Sequence, residues 1–283
     1  MGAAGCAVSK KTIVKPVPGA PQALQTADRA QLIARYNILA GAVHSLNATV
    51  EMKLTAGSAY SGVIEQYHEV NGFILAQRPA SIRVIGQAPV VAKDIFDMVS
   101  DGETFHVFIP SKNKFIEGPA SFERAAAKPI ENLRPQHLVD ALFWTPVKDD
   151  QPVLFEEAEE DSGQYYVLTV ERNDAAESSS AADWEIARKI WFERAGLSVS
   201  RVETYGSGGK VNSDVRYADW QQTGGAEYAR KIAVARPGEG YTLVLTITKL
   251  TVNEPIAADR FVLPQPAGSE LVRVGQNAAQ EPR

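Results

Sequence analysis

The chain has 283 residues, 45% hydrophobic and 22% charged, with a net charge of −5. These values exclude a wholly disordered polymer and a basic nucleic-acid-binding surface. No apolar run is long enough for a bilayer-spanning helix. Its one cysteine, Cys6, excludes an internal disulfide or a thiolate cage, and its four histidines have no ligand spacing.

Residues 1–25 carry Lys10, Lys11 and Lys15, no acid, and Pro16, Pro18 and Pro21. Such a segment cannot bury a core and is expected to be a flexible tether. Ala3-Ala4-Gly5 before Cys6 resembles the end of a bacterial lipobox, in which the sulfur receives a diacylglycerol. That resemblance implies a lipid-anchored Cys6, with the lysines adding attraction to anionic lipid. The competing reading is an incidental thiol, since Met1–Gly5 is too short for a signal and Ala3 stands where leucine is usual. The 19 residues between Cys6 and Thr26 reach about 24 Å as a flexible chain. An anchored receptor fits that length better than a long-range shuttle.

Thr26 to Leu46 has helical spacing: Leu32, Tyr36, Leu39, Val43 and Leu46 form one stripe, with Thr26 as the expected cap. From Ala48 the period becomes that of strands. Expected strands are 48–54, 62–70, 72–77, 81–86, 91–100, 103–109 and 114–117, then 153–157, 164–172, 185–194, 198–205, 211–218, 227–235 and 241–251. Asp101-Gly102 reads as a hairpin turn. The one interruption is a second helix, Arg134–Phe143, with Pro135 suited to its first turn and His137 expected to be satisfied or exposed. Asn173–Asp183 reads as a loop and residues 273–283 as a frayed tail. Gly206–Gly209 joins two strands, so it reads as a hairpin loop and not a phosphate cradle.

In Tyr241–Thr251 the apolar Tyr241, Leu243, Leu245 and Ile247 alternate with hydroxylated residues, which means one buried face and one wet face. A sheet of about ten or eleven such strands must curl. The expected fold is therefore mainly β (α+β), a half-open antiparallel barrel covered by a few short helices. A greasy cavity is expected where the helices fail to fill the concave side. Its expected lining is Leu32, Tyr36, Leu39, Leu138, Leu142, Tyr241, Leu243, Leu245 and Ile247. No catalytic signature is present, and the acids Glu156, Glu157, Glu159, Glu160 and Asp161 read as a solvated run before a turn. The expectation is a protein without enzymatic activity, cofactor or metal.

Three stretches resemble the lipoprotein localisation factor superfamily (LolA/LolB-like). They are the opening helix running into a strand, Thr26–Leu54; the hairpin from Asp101-Gly102 through Pro110-Ser111-Lys112-Asn113 to Gly118; and Asn253-Glu254-Pro255 through Phe261 to a last strand around Gly268. The likeness spans roughly residues 26–272, taken as one domain after the 1–25 tether. It implies a non-catalytic, monomeric carrier or receptor. Such a protein binds acyl chains of lipoproteins or lipids at the bacterial outer membrane, on the periplasmic side, and meets a donor carrier protein. Without lipidation of Cys6 the location would be the periplasm. The alternative from another class is an envelope scaffold or sensor that binds a protein partner on its concave face or loops, with no lipid cargo.

Overall fold

A computed structural model describes residues 23–57, 64–66, 69–89, 93–121, 133–161, 163–173 and 184–275. Cys6, most of the tether, the 174–183 stretch of the expected loop and residues 276–283 lie outside the described residues.

Helix α1 is Arg29–Ala42. It starts later than the apolar stripe suggests, because Asp28, not Thr26, is its cap. The Asp28 carboxylate accepts from the Gln31 amide at 2.8 Å, and the Gln31 side chain accepts from the Asp28 amide at 2.9 Å. This reciprocal capping box satisfies two N-terminal donors. Leu46 is buried as expected but belongs to the following strand, β1 (Ser45–Gly57).

The next strands are β2 (Ile64–Gln66), β3 (Val70–Gln77), β4 (Ser81–Gln87), β5 (Asp94–Ser100), β6 (Thr104–Ile109) and β7 (Lys114–Pro119). Helix α2 is Pro135–Leu142, with its proline in the first turn as read from the sequence. Then come β8 (Val153–Glu160), β9 (Gly163–Asn173), β10 (Trp184–Glu193), β11 (Ser198–Tyr205), β12 (Val211–Thr223), β13 (Ala226–Arg236), β14 (Tyr241–Val252) and β15 (Glu270–Arg273). All belong to one open sheet, ordered β15-β7-β6-β5-β4-β3-β1-β14-β13-β12-β11-β10-β9-β8, with β2 beside β1. The described strands number fifteen, not the expected ten or eleven. Tight turns let nearly every one of the candidate stretches join the ladder; β2 lies inside the expected 62–70, and β15 follows Gly268, where the resemblance implies a last strand.

Neighbouring strands are antiparallel except β15, which pairs with β7 in parallel. The Asp101-Gly102 turn forms as expected. The Asp101 carboxylate accepts from the Glu103 and Thr104 amides, each at 2.8 Å. Gly102 has φ +97°, and a Cβ there would stand 2.5 Å from that of Ala80, so only glycine fits.

The two remaining stretches of the resemblance act as fasteners. Asn253 accepts from the His44 amide and donates to the Ala42 carbonyl, both at 2.8 Å, tying the end of α1 to the end of β14. Asn113 donates to the Gly268 carbonyl at 2.8 Å and brings the last strand to the sheet.

The sheet bends around α2. At one end of this helix, the Arg134 guanidinium lies 5.3 Å from the Phe105 ring on β6. At the other, the Ala141 carbonyl accepts from Tyr217 on β12 at 2.9 Å. In a flat sheet β6 and β12 would stand seven strand steps apart, about 33 Å. The eight residues of α2 measure about 12 Å, so the helix lies in a concave wall. β8 forms one edge, and its acids Glu157 and Glu160 pair with Arg194 (2.9 Å) and Arg201 (3.3 Å). Charges along an edge strand discourage pairing with another chain.

Candidate functional site

The residues expected to line a cavity do converge. Leu32 and Tyr36 from α1, Leu138 and Leu142 from α2, and Tyr241, Leu243, Leu245 and Ile247 from β14 are all buried in one hydrophobic cluster, and Leu39 packs half-buried against it. The alternation in β14 therefore does what its sequence implies: the odd positions turn inward.

A small apolar pocket lies beside them. Bordered by Leu39, Leu142, Phe143, Trp144, Tyr228 and Ile232, it holds about 20 Å³. That is room for about one water molecule and too little for a hydrocarbon tail. Of the nine expected lining residues, Leu39 and Leu142 reach this pocket and Tyr36 reaches the cleft described below. The other six are packed core.

An aromatic plug occupies the space beside that pocket. Trp144 stacks on Tyr36 with ring centroids 5.3 Å apart and planes at 5°. It meets Tyr217 edge-on at 4.9 Å and Trp220 at 5.8 Å. Each such ring fills 150–250 Å² of surface by general experience. Reading apolar periodicity alone missed Trp144, because it follows α2 instead of lying on its stripe. The signal was there: Phe143-Trp144-Thr145-Pro146 is an aromatic pair just before a helix-stopping proline.

The plug is fastened by polar groups on both sides. Trp144 Nε1 donates to the Tyr217 hydroxyl at 2.8 Å, and that hydroxyl donates to the Ala141 carbonyl. Tyr228 donates to the Leu142 carbonyl at 3.0 Å. These bonds satisfy helix-end carbonyls that have no partner inside α2. Burial pushes both phenols well above their ordinary range, so they remain neutral donors. Asn37 exchanges two bonds with the Val147 backbone, at 2.9 and 2.8 Å. Arg78 donates to the carbonyls of Ala40 (2.7 Å), Val43 (3.1 Å) and Trp144 (2.9 Å), and lies over the Phe143 ring at 5.0 Å. One guanidinium thus joins the end of α1 to the segment after α2.

On the other side of Phe143 and Trp144 is a polar cleft of about 540 Å³. Its charged and titratable lining among the described residues is Arg134, His137, Asp140, Arg188, Arg236 and Glu239, drawn from α2 and its cap, from β10, and from the end of β13 and the turn after it. His137 is satisfied, as expected: its Nδ1 shares a hydrogen with the Tyr241 hydroxyl at 2.7 Å. Burial first, then Arg236 and Arg134, lower its pKa to about 3. The Glu239 carboxylate 3.9 Å away therefore faces a neutral ring and pairs with Arg236 at 2.6 Å. Burial raises the pKa of Asp140, opposed by a hydrogen bond from Gln136.

Among the described residues no group of three or more His, Cys, Asp or Glu could hold a metal ion, and no helix is long and apolar enough to cross a membrane.

No protein-family model matches the chain, and no curated protein matches it. Solved structures do. A DUF1329 family protein from Desulfovibrio piger matches with a TM-score of 0.51 at 13% identity, covering 82% of this chain and 94% of its own. A LolA superfamily protein from Nitrosomonas europaea matches with a TM-score of 0.48 at 14% identity, covering 84% of this chain and 99% of its own. At such identities the likeness is one of fold. The chain shares its open, mainly β fold with the Desulfovibrio piger protein.

Proposed function

We propose that this protein is a non-catalytic envelope carrier or receptor. It would take the acyl chain of a lipoprotein or lipid between the concave sheet and the segment from α2 to Val147, inside a half-open barrel. One observation carries the reading: an apolar concave wall is covered by a short helix and an aromatic plug that is fastened mainly by side-chain-to-backbone hydrogen bonds. The packed interior is then the unloaded, closed form. Each such bond contributes about 1 kcal/mol net. Twelve buried methylenes of a ligand contribute on the order of 10 kcal/mol, which offsets the loss of several fasteners. A lipidated Cys6 would hold the domain at the outer membrane, facing the periplasm, where a donor carrier delivers cargo.

A second reading has an observation of its own. The filled interior and the polar cleft equally suit an envelope scaffold that grips a protein partner without lipid.

The test is titration of lipid-stripped protein with a fluorescent fatty acid. Saturable one-to-one binding, weakened in Leu39→Trp with an unchanged unfolding midpoint, supports the carrier. No saturable binding, together with a stoichiometric protein partner in native pull-downs, supports the scaffold.

A further inference from the structure

Among the described residues the polar cleft is lined by Arg134, Arg188 and Arg236 against Asp140 and Glu239. Arg236 is matched by Glu239 at 2.6 Å. Asp140 hydrogen-bonds Gln136 and is held toward its neutral form by burial. Arg188 is different. Among the described residues no carboxylate pairs with it. Its Nη2 donates to the Pro146 carbonyl at 2.9 Å, and its guanidinium lies 5.6 Å from the Tyr36 ring. Its Nε, like that of Arg236, is shielded from solvent and has no acceptor. An oxyanion in the cleft would be met by the two arginine side chains that line it.

Thr204 stands opposite Arg188 across β10 and β11, and Asn212 and Thr145 also line the cleft. A volume of about 540 Å³ exceeds what a bare ion fills, so the site suits a head group. The cleft and the small apolar pocket share Phe143 and Trp144 as a common wall. A ligand anchored by its head at Arg188 would therefore have its tail beside the plug.

We propose that this cleft is a phosphate-class oxyanion site, with Arg188 as the principal anchor and Arg236 as the second, and that it takes the anionic head of the amphiphile. The tail part of this inference rests on the carrier reading; the anion part does not. The depressed pKa of His137, partly the work of Arg236 and Arg134, agrees with a positive potential there. Because Arg188 also holds the Pro146 carbonyl, head binding and release of the plug meet at one side chain.

The experiment follows the fluorescence of the full chain during titration with dodecyl phosphate, dodecyl maltoside and inorganic phosphate. Both detergents are kept below their micelle concentrations. Dodecyl phosphate is expected to bind about tenfold more tightly than dodecyl maltoside, the worth of one charge-assisted contact. In Arg188→Gln that preference, read as the ratio of the two affinities, falls to about twofold or less, because loss of the Pro146 bond acts on both tails alike; Arg188→Lys keeps most of it. Equal unfolding midpoints exclude misfolding as the cause. An Arg188-dependent response to inorganic phosphate alone supports the anion site and identifies the free ion as a ligand. Combined with no detergent binding, it removes the carrier reading only. Equal, saturable binding of both detergents, insensitive to Arg188→Gln, overturns the anion site and leaves the carrier reading. No response to any of the three overturns both.

Discussion

The two sides of the Phe143–Trp144 wall are built on opposite principles. On the sheet side phenols cap helix-end carbonyls, Arg78 spends its donors on three backbone oxygens, and about 20 Å³ is left open. On the cleft side the Nε of Arg188 and of Arg236 have no acceptor among the described residues, and about 540 Å³ is open. Close packing lends stability; unsatisfied polarity beside open space lends capacity to bind. A stability difference between equivalent substitutions on the two sides is the direct consequence.

The largest effect belongs to the packed side. Trp144→Ala removes the centre of the aromatic plug and should cost about 3–5 kcal/mol in urea unfolding. Because the freed volume lies along the proposed tail path, the same variant should bind fatty acid more tightly per folded molecule. A cost below about 1 kcal/mol would mean that Trp144 is not seated as described. Arg78→Ala comes next, at about 2–3 kcal/mol, since three carbonyls lose their donor at once. Amide hydrogen exchange should then rise in residues 143–147 before it rises in β14.

Acidification addresses the cleft. The folded pKa of His137, about 3 against an ordinary 6.5, means that the unfolded chain binds the extra proton between those values. Stability from this group is therefore full above pH 6.5 and falls as pH drops toward 3, by a total on the order of a few kcal/mol. Asp140, with its pKa raised, acts with the opposite sign: its contribution is greatest at low pH and declines as pH rises above its ordinary 3.8. Comparison of unfolding against pH for the native chain and His137→Gln isolates the histidine. The variant should lose much of the slope between pH 3 and 6.5, and an unchanged slope would contradict the burial of a neutral ring.

The smallest stability effects are on the open side or at single hydroxyls. Tyr228→Phe should cost about 1 kcal/mol, read from the denaturant midpoint. Glu239→Gln removes the partly exposed partner of Arg236 and should change stability by less than about 1 kcal/mol. It should also strengthen dodecyl phosphate binding, because a competing carboxylate is gone. Weaker phosphate binding in that variant would reverse the reading of the cleft.

Local signals in the sequence carried most of the sheet. Tyr241, Leu243, Leu245 and Ile247 announce a buried face by strict alternation. Asp101-Gly102 and Pro135 mark a turn and a helix start through backbone chemistry that operates within a few residues. Errors arose where two local signals competed. Thr26 and Asp28 can both cap a helix, and the Gln31 side chain decides for Asp28. Leu46 continues the helical stripe, yet Arg78 and Asn253 draw the chain out of the helix before it. The aromatic plug was not legible, because it depends on how Tyr36 of α1, Trp144 after α2, and Tyr217 and Trp220 of β12 interlock from three separate segments. The cleft was not legible either: Arg134, Arg188 and Arg236 share no pattern along the chain and meet only through the sheet's curvature.

The central claim is that an acyl chain displaces the plug. Amide hydrogen exchange over residues 135–147, with and without saturating fatty acid, tests it most directly. The account predicts that exchange there rises on binding while β14 keeps its protection. Saturable binding with unchanged exchange in that segment, or no binding at all, would contradict it.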